Sequence, residues 1–441
     1  MNSTGDPMMK SLQHLGAFLF SKNLTSIEIF LLAACLFSVY MNNIVSVEFQ
    51  PDETFWIVSS VRFDAFASGE FNSPIWIKEP FISFEVRPIP SYIVAISQRL
   101  GDVQPNHLPA YWDWSLTEND NLARGAMPSA RLLWLSRLPM ALISVFSLLG
   151  VALLLIVSHS RITAYVFTLL SFNGYFLLHL RRAMSEAPLL LFTVLVLYAS
   201  YGLVSVIQEK PPKKIVFWSI LVGVLSGLAG QSKLTGLACV AIPILGTLIL
   251  VSRSRDYSMQ LKGRIFLSVT LLSVCASLLV FLISYPFFYE NTLHRILTTF
   301  YMRGQVVDAQ INAYPEQTIK PNERLPLLFE RIFEYPLNFP TRGMISTLLH
   351  WANFSLAAFG LIYSMKQILI KRYHGDIHLL LVLTTLFCAI PMLFVPLDWD
   401  RYYLYPIFFS CVFVAIGISQ LLSLGYSKFR ERVQVSVVVE N

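Results

Sequence analysis

Residues 132–157, LLWLSRLPMALISVFSLLGVALLLIV, decide the fold class. A run of that length, dense in Leu, Ile, Val and Phe, is long enough to cross a hydrocarbon core of about 30 Å as a helix. Comparable runs recur along the whole chain. Ten are expected to span: 26–45, 132–157, 162–179, 187–207, 214–230, 234–252, 264–288, 344–370, 377–396 and 402–424. The composition agrees, with 55% hydrophobic and 14% charged residues and a mean hydropathy of +0.58, where a soluble domain carries about a quarter charged residues. The expected fold class is an all-α polytopic membrane protein of about ten transmembrane helices, with residues 1–441 as a single integral membrane domain.

The first apolar run starts near Ile27 and leads into Asn42-Asn43, not into a small-residue cleavage site. It reads as a retained anchor. The five cysteines, Cys35, Cys239, Cys275, Cys388 and Cys411, all sit in apolar stretches, which excludes a disulfide framework and a paired-cysteine metal site.

Orientation follows from the short connections. Lys210, Lys213 and Lys214, then Arg253, Arg255, Lys262 and Arg264, then Lys366, Lys371 and Arg372, and finally Lys428, Arg430 and Arg432 fall on one side if ten spans alternate. By the positive-inside rule that side is the cytoplasm, together with both termini. The opposite side collects the acids. The net charge of +6 is thus a topological signal, and no nucleic-acid partner is needed to explain it. The sequons at Asn2 and Asn23 are cytoplasmic and Asn353 lies within a span, so a prokaryotic plasma membrane is expected over a glycosylating lumen.

Two long outer loops remain, 46–131 and 289–343. Residues 52–68 and 90–100 read as helices closed by Gly69 and Gly101. Leu293, Ile296, Leu297, Phe300 and Tyr301, and then Leu325, Leu328, Phe329, Ile332 and Phe333, keep helical spacing. Such stripes beside spans describe amphipathic helices on the membrane surface. Trp56, Trp76, Trp112 and Trp114 fit an interfacial aromatic belt.

Chemistry is expected where ionisable groups gather at the outer ends of spans. FQPDETFW (49–56) puts Asp52 and Glu53 just past the first span. Adjacent carboxylates at an interface can act as a general base and its support; the ordinary reading is a helix N-cap and a first-turn acid. Arg181, Arg182 and Glu186 lie in LRRAMSEAP (180–188), Lys233 in GLAGQSKLTG (227–236), and Asp398, Asp400 and Arg401 in PLDWDRYYLYP (396–406). Taken singly, each reads as a solvated loop charge or a snorkelling side chain. Together they put a cation in every short outer turn, against the positive-inside tendency. A lipid-linked phosphate or pyrophosphate would explain that placement. No phosphate loop, G-x-S-x-G or HExxH occurs, and the eight histidines are scattered.

These stretches resemble the GT-C class of glycosyltransferases that use polyprenyl-phosphate sugars: phospholipid-carrier-dependent transferases, protein O-mannosyltransferases and aminoarabinose transferases. PDETFWIVSSVRFDAFASGEF (51–71) is similar to the class's Asp-Glu motif and the helix after it. RPIPSYIVAISQRLG (87–101) resembles its His/Arg-Pro-Pro-Leu helix, LRRAMSEAP its Arg-rich turn, and DWDRYYLYPIFF (398–409) the Arg-Tyr start of a late span. The resemblance implies Asp52 as catalytic base with Glu53 supporting it, and Glu186 as a second acid. It implies that Arg181 or Arg182, Lys233 and Arg401 hold the donor phosphate. Arg87 stands where His is commoner, Pro88-Ile89-Pro90 replaces adjacent prolines, and Glu186 replaces the usual Asp, so Arg87 joins Asp398 and Asp400 as further candidates.

The implied activity is transfer of a sugar from a polyprenyl-phosphate donor (dolichyl or undecaprenyl type) to a hydroxyl of a lipid, glycan or protein acceptor on the outer face. Inverting single displacement is expected, because the motif offers one exposed base and no second nucleophile. A divalent cation, which some relatives bind, is the one cofactor the resemblance allows. The rival reading is a transporter or flippase of a lipid-linked sugar, which predicts internal repeats and charges near mid-membrane; the sequence has no such repeat.

Overall fold

The structure is a computed structural model that describes residues 25–77, 80–209, 212–254, 257–336, 344–370 and 376–439. The sequons at Asn2 and Asn23 and the cations Lys210, Arg255, Lys371 and Arg372 lie outside the described residues.

The helices run in chain order as α1 Ser26–Met41, α2 Glu53–Val58, α3 Arg62–Ala67, α4 Pro80–Glu85, α5 Pro88–Leu100, α6 Glu118–Ala123, α7 Ala130–Ser158, α8 Arg161–Leu170 and α9 Gly174–His179. They continue as α10 Glu186–Glu209, α11 Pro212–Ser232, α12 Ala241–Arg253, α13 Met259–Ile283, α14 Thr292–Ala313, α15 Arg324–Glu334, α16 Met344–Ile370, α17 Asp376–Ala389 and α18 Leu404–Val439. Among the described residues the only β pairing is the isolated bridge Thr318–Leu397. The all-α expectation holds.

Among the described residues eight stretches are long and apolar enough to cross a membrane: Ala130–Ser158, Glu186–Ile207, Pro212–Ser232, Leu234–Arg253, Met259–Ile283, Met344–Ile370, Asp376–Phe394 and Asp400–Phe429. The other two expected spans are shorter apolar helices. The stretch expected over 162–179 breaks into α8 and α9, because the Asn173 side chain turns back to accept the Tyr175 N–H at 2.7 Å and caps a new helix. The stretch expected over 26–45 ends at Met41, where Asn43 takes φ 51° and turns the chain into a 3₁₀ segment, Ile44–Ser46.

The core is built on α18, whose buried run Leu404–Ile416 packs against α8, α16 and α17. Here small residues set the distance between helices. A Cβ on Gly360 of α16 would run into the Phe413 carbonyl, and one on Gly417 into that of Leu356.

In the first long loop, the helix expected over 52–68 is α2, a 3₁₀ turn at Ser59–Val61, and α3, closed as expected by Gly69 at φ +77°. In the second, both striped helices form. Leu293, Leu297, Phe300 and Tyr301 of α14, with Leu325 and Phe329 of α15, are exposed, as a face laid on lipid would be.

Candidate active site

The site begins in the segment joining α1 to α2. Glu53, the first residue of α2, is completely buried, and so is Arg137, two turns inside the apolar helix α7. Their side chains pair in two parallel bonds, Nε to Oε2 at 2.8 Å and Nη2 to Oε1 at 2.6 Å. Both Glu53 oxygens have a second donor, the Ala183 N–H at 2.8 Å and the Gln50 N–H at 3.1 Å. The remaining Arg137 nitrogen donates to the carbonyls of Ile44, Val45 and Val47 at 2.8–3.2 Å. A charge this deep in an apolar helix is tolerated only with such complete pairing. The clamp ties together the 44–53 segment, α7 and the turn after α9.

Asp52 precedes this anchor and faces the other way. It stands at the N-cap position of α2 but makes no capping bond. Its carboxylate pairs instead with Arg401, 349 residues along the chain. The Arg401 guanidinium lies over Trp399 and Tyr402, 5.1 and 5.7 Å from the ring centres. Glu186, the first residue of α10, is buried and meets Lys233 at 3.2 Å. Lys233 in turn lies 5.5 Å over the Tyr402 ring. Arg401 lies in the field of both Asp52 and Glu186.

These four groups line one cavity of about 740 Å³, and Arg87 lines it too. Sequence reasoning did not single out the rest of its charged wall. Arg303 of α14 meets Glu85 of α4 at 2.9 Å, joining the two long loops across the cavity. Burial works against the Arg303 charge, yet Glu85 and Tyr402 together more than offset it and the pKa is raised. Arg324, at the start of α15, donates to the Leu393 carbonyl at 3.2 Å. Arg87 is 4% exposed, and among the described residues its side chain has one hydrogen bond, to the Phe84 carbonyl at 3.0 Å, while Nε and Nη1 have no partner. Burial depresses its pKa, with Tyr285 and Glu85 opposing that effect.

The other expected residues do not line the cavity. Arg181 donates to the carbonyls of Leu177 at 2.5 Å and Asn42 at 2.8 Å. Arg182 donates to the Glu48 carbonyl at 3.1 Å and lies 3.6 Å from its carboxylate, and burial lowers its pKa against the pull of Glu53 and Glu48. Asp398 pairs with Arg331 at 2.6 Å. The Asp400 carboxylate accepts from the Tyr335 hydroxyl at 3.4 Å. Asp398 and Asp400 brace the segment that carries Arg401.

Among the described residues no three His, Cys, Asp or Glu side chains are grouped to hold a metal ion. The cavity carboxylates Asp52, Glu186 and Glu85 each face a cation. This donor set does not fit a divalent-cation centre built from protein ligands.

Residues 113–297 match the family model for dolichyl-phosphate-mannose-protein mannosyltransferases. No curated protein sequence matches the chain. Among solved structures, the Archaeoglobus fulgidus oligosaccharyltransferase AglB in complex with an inhibitory peptide and a dolichol-phosphate aligns with 92% of this chain and 51% of its own, at 14% identity and a TM-score of 0.52. The apo oligosaccharyltransferase of the same organism aligns with 92% and 52%, at 14% identity and a TM-score of 0.53. The Saccharomyces cerevisiae protein O-mannosyltransferase Pmt1–Pmt2 complex bound to the sugar donor covers 63% of this chain and 35% of its own at 17% identity, with a TM-score of 0.41 that carries no argument. The chain spans about half the length of the oligosaccharyltransferases it matches. At such identity the likeness is one of fold. The chain therefore has the fold of these oligosaccharyltransferases, and through residues 113–297 it is similar in sequence to the dolichyl-phosphate-mannose-protein mannosyltransferase family.

Proposed function

We propose that the protein transfers a sugar from a polyprenyl-phosphate donor to an acceptor hydroxyl, at a cavity open to the non-cytoplasmic side of the membrane. One observation carries this reading: Asp52 and Arg401, from opposite ends of the sequence, meet in a single cavity wall beside the Glu186–Lys233 pair. The dolichol-phosphate bound by the oligosaccharyltransferase of the same fold supports the choice of donor.

The Asp52 carboxylate takes the proton of the acceptor hydroxyl as that oxygen bonds to the anomeric carbon. The bond from that carbon to the phosphate oxygen breaks on the opposite face, and the electron pair leaves with the phosphate. Configuration inverts in one displacement. Arg87, with two unpartnered nitrogens, receives the phosphate, and the neighbouring Arg303 adds positive field. Arg401 and Lys233 offset charge that builds on the leaving oxygen. Glu53 never meets substrate; it is a positioning residue that anchors the first turn on which Asp52 sits.

Reconstituted protein given a labelled polyprenyl-phosphate sugar should separate sugar from lipid. Asp52→Asn should lower the rate by about 10²–10⁴-fold with donor binding retained. Movement of intact lipid-linked sugar across the vesicle, with no cleavage, would establish a flippase instead.

A further inference from the structure

The cavity is lined by two kinds of apolar side chain. Val306, Val307 and Ile311 of α14 are aliphatic, as a polyprenyl chain requires. Phe55, Trp56 and Trp114 are aromatic, and the first two follow Asp52 by three and four residues. This aromatic set is built, not incidental. The four residues 111–114 include three aromatics, and the segment is docked onto α2. The Trp112 N–H donates to Thr54 Oγ1 at 3.1 Å, and the Tyr111 ring stacks on Phe55 at 6.0 Å and 27°. Trp112 bridges Phe49 and Trp114, at 6.1 and 6.5 Å. The Asp113 N–H donates to the fully buried Asn121 at 2.8 Å, which fixes the segment from behind.

Two features of this shelf are turned to the cavity. Trp114 is 51% exposed at the rim of the cavity. The Trp56 indole N–H is buried in the wall and has no partner among the described residues. Indoles of a membrane belt face lipid, whereas these two line the cavity that holds Asp52. A flat apolar ring with a donor at its edge is suited to a pyranose, whose face offers C–H groups and whose rim offers hydroxyl acceptors. A peptide acceptor held as a strand needs a free backbone edge. Among the described residues the only β pairing is Thr318–Leu397, and the backbone flanking it is self-satisfied, Ile319 to Pro396 at 2.7 Å and Asp398 to Gln317 at 2.9 Å.

We infer that the aromatic shelf of Trp56 and Trp114 is an acceptor subsite, and that the acceptor is a saccharide whose ring lies on Trp114 and presents a hydroxyl to Asp52. This rests on the transferase reading above and narrows its acceptor from three classes to one.

The test holds the full chain in lipid nanodiscs and follows tryptophan fluorescence. It is titrated with mannotriose, with cellotriose and, separately, with a blocked threonine-containing hexapeptide, while binding of a polyprenyl-phosphate sugar is measured alongside. At least one trisaccharide should give a saturating change. Trp114→Ala should weaken it about tenfold and Trp114→Phe should restore most of it, since the ring supplies the stacking energy. Donor binding should stay unchanged in both variants. Saturation by the peptide alone, saturation by none of the three, or an unaltered response in Trp114→Ala overturns the inference. Failure of the wild-type protein to bind the donor lipid is a separate result, and it overturns the transferase reading instead.

Discussion

Three arginines near the site show how differently one residue type can be used. Arg137 has every nitrogen bonded, and replacing it with Met would leave Glu53 as an uncompensated charge in the core. The expected loss is about 3–5 kcal/mol of stability, seen as a lowered unfolding temperature in detergent, and Glu53→Leu in the same chain should restore much of it. Arg87 is the opposite case. Its two orphan nitrogens already cost the fold stability, so Arg87→Ala should leave the unfolding temperature unchanged or raised. If Arg87 receives the donor phosphate, the same variant should raise the donor KM by about 10–100-fold, as loss of a charge-assisted bond does. A drop in stability with an unchanged KM would remove Arg87 from that role. Arg401 lies between them, paired with Asp52 yet facing the cavity. That Asp52, Glu186 and Arg401 belong to one candidate site was legible because acids and cations at the ends of apolar runs are unusual. Arg137 left a signal too, a lone charge inside residues 132–157, but its partner lies 84 positions away and only the fold brings them together.

At the scale of elements, periodicity located helices well and their interruptions poorly. The apolar stripes of α14 and α15 were readable because lipid-facing residues must recur at helical spacing. The break between α8 and α9 was not, since it depends on a single Asn173 side chain choosing a local bond over helix continuation. Nor could spacing predict that the second long loop straps down the segment carrying Arg401. Residue 317 meets Trp399 and the backbone of Asp398, and Arg331 of α15 grips the Asp398 carboxylate from the same loop. Arg331→Ala should therefore loosen Arg401 without touching substrate. We expect kcat to fall roughly tenfold with little change in donor KM, as displacement of a catalytic group costs the transition state more than the ground state. An equal rise in KM would mean that the strap shapes the donor pocket instead.

For the whole molecule the decisive quantity is which compartment the cavity faces. Fold alone does not fix this, because a bundle of spans can be inserted either way round. The argument is electrostatic: connections rich in Lys and Arg are held on the cytoplasmic side, and alternation of the expected spans would put the long loops that supply Asp52, Arg87, Arg303 and Arg324 opposite them. The two faces can be marked at exposed positions, Glu118 in the first long loop and Lys214 at the start of α11. The five native cysteines lie in apolar helices, where the thiolate that reacts with maleimides is suppressed, so background labelling should be slight. A membrane-impermeant maleimide added to intact cells should modify Glu118→Cys and spare Lys214→Cys until the cells are opened. The reverse pattern would turn the cavity to the cytoplasm. Asp52 and Arg401 would still form their pair, but the donor would have to be presented from the inner leaflet, and the proposed outward-facing reaction could not take place there.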